Sequence, residues 1–295
     1  MQIAFIGLGT MGGHMARNLL RKGFDVVGFD LSADAVAGFE ADGGRTAADP
    51  RTAISKAEVV FTMLPNDLVL ESLFLADPSF LEGVAAGTLF VDCSSVSVDV
   101  TKKLALSVEQ FGAATLDAPV SGGPIGARNG TLTFMVGGDV SQLERVTPLL
   151  EAMGTSIVHM GDHGAGQVAK QCNNMLAAII MTGTAEAIGM GVRNGLDPSA
   201  LTKVMQSSTG GSNLLTRWNP WPGVDPDAPA SNDYKSGFQL GLMLKDLDLA
   251  LDCAQSSRYT TPMGALARSL YSMCSNLESG SALRDFSYIS RLYRS

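Results

Sequence analysis

The segment Gly7-Leu8-Gly9-Thr10-Met11-Gly12 directly follows an apolar run, Ile3–Ile6, and opens an amphipathic stretch, Met11–Lys22. A strand, a GxGxxG turn and a helix in this order are typical of a site for the pyrophosphate of a dinucleotide. The first glycine permits a tight turn, the second lets the backbone approach the phosphates, and the third lets helix and strand pack closely. The predicted cofactor contacts are Gly7, Leu8, Gly9, Met11 and Gly12.

The next apolar run, Asp25–Phe29, is followed by Asp30, about twenty residues beyond the glycine motif. A carboxylate at this place accepts hydrogen bonds from the adenosine ribose hydroxyls and repels a 2′-phosphate. The residues after it, Leu31 and Ser32, offer no arginine to hold such a phosphate. The alternative is an ordinary strand-to-helix turn, which would not need Asp30. Because Asp30 repels a 2′-phosphate and no arginine follows it, the sequence predicts NAD rather than NADP as the cofactor.

Short apolar runs alternate with amphipathic stretches through the N-terminal half. The predicted strands are Ile3–Ile6, Asp25–Phe29, Val59–Met63, Thr88–Asp92, Ala114–Asp117 and Leu132–Val136. The predicted helices are Met11–Lys22, Ala33–Ala41, Leu68–Phe74, Val98–Phe111 and Ser141–Met153. This alternation predicts a Rossmann-type, doubly wound α/β sheet that is mostly parallel and covered by helices on both faces.

The pattern changes after Gly164. From Ala165 to Arg193 there is no proline, and Ala, Met, Ile and Val recur at helical spacing until Asn194-Gly195, a natural helix stop. Further helices are predicted at Ser199–Gln206, Gly241–Ser256 and Met263–Ser275, with an irregular segment at Asn213–Gly237. We therefore expect an NAD-binding Rossmann domain at 1–163 and an all-helical substrate and oligomerisation domain at 164–295, built around the long helix.

Composition narrows the function classes. The 21 basic against 29 acidic residues argue against nucleic acid as a partner, because binding it needs a basic face. The four cysteines are scattered and the three histidines form no ligand pattern, so we expect a reduced, cytoplasmic protein without a metal site. No leader sequence precedes the first strand and no run reaches about 18 uninterrupted apolar residues, so neither a targeting peptide nor a membrane span is expected.

A second glycine-rich segment, Asp117-Ala118-Pro119-Val120-Ser121-Gly122-Gly123, follows a predicted strand. Consecutive small residues expose backbone N–H groups that can form an anion-binding nest, and Ser121 adds a hydroxyl. Ser121, Gly122 and Gly123 are therefore candidates to bind a substrate carboxylate. The same pattern also fits a loop that only needs glycine geometry.

Lys170 lies in the first turns of the long predicted helix, and Asn174, four residues later, shares its helix face. Its sequence neighbours Val168 and Ala169 are apolar. Desolvation would lower the pKa of the lysine, as would the positive end of the helix, and would suit it to general acid–base chemistry. Spacing alone also fits a surface lysine here, and a solvated stretch of helix at Lys245-Asp246.

Four blocks, in this order, resemble the β-hydroxyacid dehydrogenase family over nearly the whole chain. They are GLGTMGGHMARNL at 7–19, DAPVSGGPIGARNGTLTFMVGG at 117–138, GAGQVAKQCNN at 164–174 and KDLDLA at 245–250. The resemblance implies that Lys170 is the catalytic lysine, which takes the hydroxyl proton as hydride leaves for the nicotinamide. It also implies that Ser121, Gly122 and Gly123 bind the substrate carboxylate and that Asn174 orients the reacting oxygen.

The resemblance assigns further contacts. Leu64, Pro65 and Ser95 match cofactor-contacting positions, Lys245 matches a lysine that reaches the cofactor, and Asp246 matches a residue lining the substrate cleft. Two places depart from the family pattern. Ser95 stands where threonine is usual, which keeps the hydroxyl, and the less regular segment Ser212–Trp218 is a candidate pocket lining that leaves the choice of substrate open.

Within the family, segments 219–224, 228–231 and 234–238 look most like the branch that oxidises 3-hydroxyisobutyrate to methylmalonate semialdehyde with NAD in valine breakdown. The alternatives are another small acid or semialdehyde (L-serine, glycerate or tartronate semialdehyde, succinic or glyoxylic semialdehyde) or a non-catalytic dinucleotide-binding module. The apolar surface of the long helix and of the Met- and Leu-rich helices after it predicts a homo-oligomer, dimer or tetramer, formed through the helical domain.

Overall fold

The structure, a computed structural model, describes residues 1–294. The chain folds into two compact units, Met1–Lys170 and Gln171–Ser295, called here the first and the second unit. The division falls inside the long helix Ala165–Arg193, whereas the sequence-based boundary at residue 163 precedes that helix.

One sheet of nine strands forms in the part of the chain that the structure describes, and it belongs to the first unit. Its strands are β1 (Gln2–Ile6), β2 (Asp25–Phe29), β3 (Arg45–Thr46), β4 (Val59–Thr62), β5 (Leu89–Asp92), β6 (Ala114–Asp117), β7 (Val120–Ser121), β8 (Leu132–Gly137) and β9 (Gly154–Gly161). Six strands run parallel in the order β3-β2-β1-β4-β5-β6. β8 pairs antiparallel with β6 and β7 and parallel with β9. The predicted, mostly parallel sheet is confirmed.

Helices alternate with the strands of the first unit. They are α1 (Gly12–Arg21), α2 (Ala33–Ala41), α3 (Pro50–Ile54), α4 (Asp67–Phe74), α5 (Val98–Glu109), α6 (Gly123–Asn129) and α7 (Val140–Glu151), with a short 3₁₀ helix at Pro78–Leu81. Helix α8 (Ala165–Arg193) follows β9 and continues into the second unit.

Burial on both faces holds the parallel strands in place. In β1, Ile3 and Phe5 belong to one apolar cluster, and the alternate residues Ala4 and Ile6 belong to another. Because successive side chains of a strand point to opposite faces, the two clusters lie on the two sides of the sheet. Each large side chain buried this way contributes about 1.5–3 kcal/mol, which favours a central strand covered on both sides.

The second unit is helical. After α8 come α9 (Pro198–Gln206), α10 (Asn213–Arg217), α11 (Leu240–Ser256) and α12 (Pro262–Ser275), with 3₁₀ helices at Pro229–Asn232, Ser281–Leu283 and Phe286–Tyr293. Tyr271 of α12 is fully buried in its core, together with apolar residues of α8 and α11. The predicted all-α part built around a long helix is confirmed.

The differences from the sequence-based elements are local. Strands β3 and β7 have two residues each, too few to show a period, and β9 is a half-exposed strand. Helix α6 contains two glycines and one proline in seven residues, a composition that favours a loop. The segment predicted to be irregular contains α10, which Ser212 caps by accepting a hydrogen bond from the backbone N–H of Leu215.

Helix α8 is, among residues 1–294, the one helix long and apolar enough to cross a membrane by length and composition. Ala178, Met181, Ala185 and Ile188 on this helix are fully buried within the protein. A core helix passes the same test, so this is weak grounds for a span.

We expect two glycines of α8 to respond oppositely to alanine. A Cβ on Gly166 would lie 2.3 Å from the carbonyl oxygen of Met135, whereas a Cβ on Gly183 meets no atom within 4 Å. Gly166→Ala should therefore lower the free energy of unfolding by about 1–3 kcal/mol. Gly183→Ala should raise it by up to about 1 kcal/mol through helix propensity. Thermal unfolding of both variants tests this, and equal shifts in melting temperature would contradict it.

Candidate functional site

The glycine turn after β1 leaves no room for side chains at two of its glycines. Gly7 has a φ of +96°, and a Cβ on Gly12 would lie 2.0 Å from the carbonyl oxygen of Gly7. A Cβ on Gly9 would meet nothing within 4 Å, so the space beside that residue is open. The turn therefore combines a close approach of α1 to the strand end with an uncovered backbone, which is the geometry that a pyrophosphate requires.

Asp30, just after β2, is bound to this turn. Its Oδ2 accepts the backbone N–H of Leu8 at 2.6 Å and its Oδ1 accepts that of Ser32 at 2.7 Å. Each carboxylate oxygen keeps a further lone pair for a ribose hydroxyl. The open space at Gly9 and this carboxylate together fit an adenine dinucleotide, with Met11 just before α1 at the same turn.

Polar side chains join the loops after β4 and β5. Ser94 Oγ accepts the backbone N–H of Leu64 at 2.8 Å and donates to Asp92 Oδ1 at 2.6 Å, and Thr62 Oγ1 donates to the same Oδ1 at 2.6 Å. Burial raises the pKa of the Asp92 carboxyl, and the Ser94 and Thr62 donors oppose that rise. The predicted cofactor contacts Leu64-Pro65 and Ser95 thus belong to loops that one buried network holds together.

Asp117, at the end of β6, caps helix α8 from outside the helix. Its Oδ1 accepts the backbone N–H of Gly164 at 2.8 Å and its Oδ2 that of Gln167 at 3.0 Å. Burial raises the pKa of this carboxyl, and the two backbone donors act against the rise. A carboxylate that accepts the first N–H groups of a helix stabilises its N-terminus, so the start of α8 is fixed to the end of β6.

Lys170 lies on α8 and is only 8% exposed. Lysine is almost never buried to this extent on an ordinary surface helix. The surface-lysine alternative is therefore wrong, while the role of Lys170 as proton acceptor stays a prediction.

Three predicted site residues of the second unit lie together. Asn174 Nδ2 donates to Asp246 Oδ2 at 2.5 Å, and Lys245 Nζ lies 3.3 Å from Asp246 Oδ1. Asp246 is 3% exposed, so the solvated-helix alternative does not hold for it. Its carboxylate is matched by an amide and an ammonium group, as a buried charge requires.

The predicted carboxylate-binding residues occupy a short strand and the start of a helix. Ser121 ends β7, and Gly122 and Gly123 have φ values of +130° and +61°. Residues with a Cβ rarely adopt the first of these conformations, so position 122 needs glycine, whereas the second, left-handed conformation only favours glycine. The anion-nest role of Ser121, Gly122 and Gly123 stays a prediction beside this geometric requirement.

Sequence reasoning gave no role to Asp92, Ser94, Asp117 or Gln167. Their signals are weak: a carboxylate at the end of each of two neighbouring strands, and one of the two glutamines in the first turns of an apolar helix. Across residues 1–294, no group of three or more His, Cys, Asp or Glu side chains could hold a metal ion.

The segment Ser212–Trp218, expected to influence substrate choice, is anchored by Asp285. Trp218 Nε1 donates to Asp285 Oδ1 at 2.9 Å, and the backbone N–H of Phe238 donates to Asp285 Oδ2 at 2.8 Å. Asp285 is fully buried and also accepts the backbone N–H and hydroxyl of Ser287. This segment is therefore fixed by the C-terminal part of the chain.

Two family profiles together match nearly the whole chain. Residues 2–161 match the NAD binding domain of 6-phosphogluconate dehydrogenase. Residues 164–293 match the NAD-binding domain of NADP-dependent 3-hydroxyisobutyrate dehydrogenase.

Individual proteins match over full length. A 3-hydroxyisobutyrate dehydrogenase of Pseudomonas aeruginosa is 51% identical over 292 residues, covering 99% of this chain and 98% of that protein. An NAD-dependent L-serine dehydrogenase of the same organism is also 51% identical, covering 99% and 97%. The structure of Mycobacterium tuberculosis 3-hydroxyisobutyrate dehydrogenase with L-serine has a TM-score of 0.93 at 39% identity, covering 100% of this chain and 99% of that one.

We expect Asp30 to set the preference between the two nicotinamide cofactors. The wild-type kcat/KM should be clearly higher with NAD than with NADP, and Asp30→Asn should narrow that ratio by at least about tenfold, because the charge that repels a 2′-phosphate is gone. The matched control is Asp25→Asn at the exposed start of β2, the strand that precedes Asp30, and it should leave the ratio unchanged. A wild-type preference for NADP in steady-state assays would contradict the prediction.

Proposed function

The chain belongs to the β-hydroxyacid dehydrogenase family, and from this premise we propose that it oxidises 3-hydroxyisobutyrate to methylmalonate semialdehyde with NAD. It is an NAD-dependent oxidoreductase. The observation that carries the proposal is the full-length 51% identity to a 3-hydroxyisobutyrate dehydrogenase. The burial of Lys170, the proposed proton acceptor, supports it.

The proposed chemistry removes a proton and a hydride from one carbon–oxygen unit. NAD, when bound at the glycine turn and Asp30, supplies the hydride acceptor. Lys170, as the neutral amine, takes the hydroxyl proton as the carbonyl forms, and general base help of this kind is worth about 10²–10⁴-fold. The other residues hold reactants, with Leu64, Pro65, Ser95 and Lys245 on the cofactor.

Two anchor points orient the substrate in this proposal. Ser121, Gly122 and Gly123 bind the carboxylate, while Asn174 donates to the reacting oxygen and Asp246 fixes the amide of Asn174. Holding the substrate at two points limits its rotation, which is needed to bring reacting atoms to about 3–3.5 Å.

L-serine is the second candidate, because the chain is equally similar to an L-serine dehydrogenase. Both substrates carry a primary hydroxyl and a carboxylate, and they differ in a methyl against an ammonium group on the central carbon. An ammonium group bound away from water is stabilised most by an anionic partner whose charge is not already balanced. Lys245 already offsets the charge of Asp246, the carboxylate among the proposed substrate residues, which favours the methyl-bearing acid.

The decisive experiment follows the absorbance of NADH with a panel of hydroxy acids. The kcat/KM should be highest for oxidation of 3-hydroxyisobutyrate. It should exceed the values for oxidation of L-serine and glycerate and for reduction of succinic, tartronate and glyoxylic semialdehydes by NADH. A higher value with L-serine would replace the first candidate by the second. Tight NAD binding without turnover of any compound would favour a non-catalytic binding module.

We expect Lys170→Ala to lower kcat by at least about 100-fold, because the proton acceptor is removed. The dissociation constant for NAD, measured by calorimetry, should change little. Lys56→Ala, an exposed lysine of the same unit, serves as the matched control with wild-type kcat. An active Lys170→Ala enzyme would rule out the assignment.

We also propose that the protein is a homo-oligomer assembled through its second unit. On α12, Met263, Leu266 and Met273 are more than half exposed and share one helix face at spacings of three and seven residues. Exposed apolar side chains along one helix face are typical of a protein–protein contact.

Sedimentation at micromolar concentration should show a dimer or tetramer. Leu266→Glu should shift it toward monomer, whereas Leu106→Glu, on an exposed leucine of the first unit, should not. A wild-type monomer at this concentration would contradict the proposal.

We propose that the protein works in a reducing compartment, the cytoplasm. Cys93, Cys172, Cys253 and Cys274 are all free thiols, and two of them are buried. Persistent free thiols are typical of cytosolic proteins.

A further inference from the structure

Gln167 of α8 binds the backbone on both sides of Ser95. Its Nε2 donates to the carbonyl oxygen of Ser94 at 2.8 Å, and its Oε1 accepts the backbone N–H of Val96 at 3.2 Å. The residue is fully buried. One side-chain amide therefore satisfies the two peptide groups that flank a proposed cofactor contact.

The backbone of Gln167 is held as well. Its N–H donates to Asp117 Oδ2, and its neighbour Gly166 lies so close to β8 that a Cβ there would collide with the carbonyl oxygen of Met135. This turn of α8 can therefore shift relative to neither the end of β6 nor the loop after β5. Lys170 follows three residues later, about 4.5 Å along the helix axis.

The chemistry of glutamine explains its presence at this place. Packing α8 against the loop would need only an apolar side chain. A buried amide is unfavourable unless its polar atoms are hydrogen-bonded, so packing alone does not explain a glutamine here. A planar amide offers one acceptor and one donor side, which match a backbone N–H and a backbone carbonyl. Two such bonds define a single position of the loop on the helix, whereas apolar contacts would allow it to slide.

We propose that Gln167 is a positioning residue that fixes the loop carrying Ser95 relative to Lys170, so that cofactor and proton acceptor keep one alignment. The inference rests on the proposed function for the roles of Ser95 and Lys170. Gln167 itself need not contact the cofactor or the substrate.

The test compares Gln167→Met, which keeps the length and loses both hydrogen bonds, with Gln142→Met on α7. Gln167→Met should raise the dissociation constant for NAD, measured by calorimetry, by about tenfold. It should also lower kcat by about tenfold while changing KM for the hydroxy acid less than about threefold. Gln142→Met should leave all three values within about twofold of the wild type.

A double-mutant cycle separates positioning from general destabilisation. If Gln167 acts through the loop, Ser95→Ala should weaken NAD binding much less in the Gln167→Met background than in the wild type. Additive effects, or an NAD affinity and kcat of Gln167→Met within threefold of wild type, would overturn the inference.

A second variant keeps the inference testable if Gln167→Met folds poorly. Gln167→Asn keeps a polar amide but is one methylene shorter, so it cannot make both bonds to Ser94 and Val96. Its NAD affinity should fall by at least about threefold, and an unchanged affinity would also overturn the inference. Wild-type protein that binds NAD but turns over no hydroxy acid would refute the proposed function. The binding cycle would still decide the role of Gln167 in that case.

Discussion

The buried carboxylates of Asp92 and Asp117 lie opposite each other where the parallel strands β5 and β6 end. Burial raises the pKa of both carboxyls, so each is tolerated only with donors around it. Asp92 takes them from Thr62 and Ser94, and Asp117 takes them from the first turn of α8. These bonds fix the loops after β4 and β5 and the start of α8, which carries Lys170. The proposed chemistry of the first unit therefore depends on two residues that take no part in it.

Much of the fold was predictable, because the buried faces of strands and helices require apolar residues at regular spacing in the sequence. The elements Asp25–Phe29, Ala33–Ala41, Ala114–Asp117 and Ala165–Arg193 were predicted to the residue, since each is long or apolar enough to show a strand or helix pattern. The errors occur where tertiary contacts override local preference. The glycines of α6 predict a loop, yet the segment is helical and packs closely on β8, since a Cβ on Gly126 would lie 3.3 Å from Leu132 Cδ2. The half-exposed β9 has no clean alternation, and only its pairing with β8 makes it a strand.

The residues of the candidate site also fall into those with a local sequence signal and those defined only by tertiary contacts. A glycine turn, a lone carboxylate after a strand and a lysine in an apolar helix are local signals, and they named Gly7, Asp30 and Lys170 from the sequence. Their supports could not be found in this way, because the partners are distant along the chain. Gln167 and Ser94 are 73 residues apart, and Asn174 and Asp246 are 72 apart. A hydrogen bond of this range leaves no spacing or period, so only coordinates reveal it.

The same limit explains why the substrate is harder to read than the cofactor. The segment expected to influence substrate choice is followed by a turn in which Asp233, Tyr234 and Ser236 all have positive φ, a conformation that costs on the order of 1–3 kcal/mol per residue. Asp285 stabilises the region by accepting from Trp218 and Phe238, and Arg284 binds Asp233. The shape of this whole region, from the segment to the turn, thus depends on residues about fifty to seventy positions away, near the end of the chain. Local motifs carry no trace of such long-range contacts, and the chain is as similar to a 3-hydroxyisobutyrate dehydrogenase as to an L-serine dehydrogenase, with 51% identity to each.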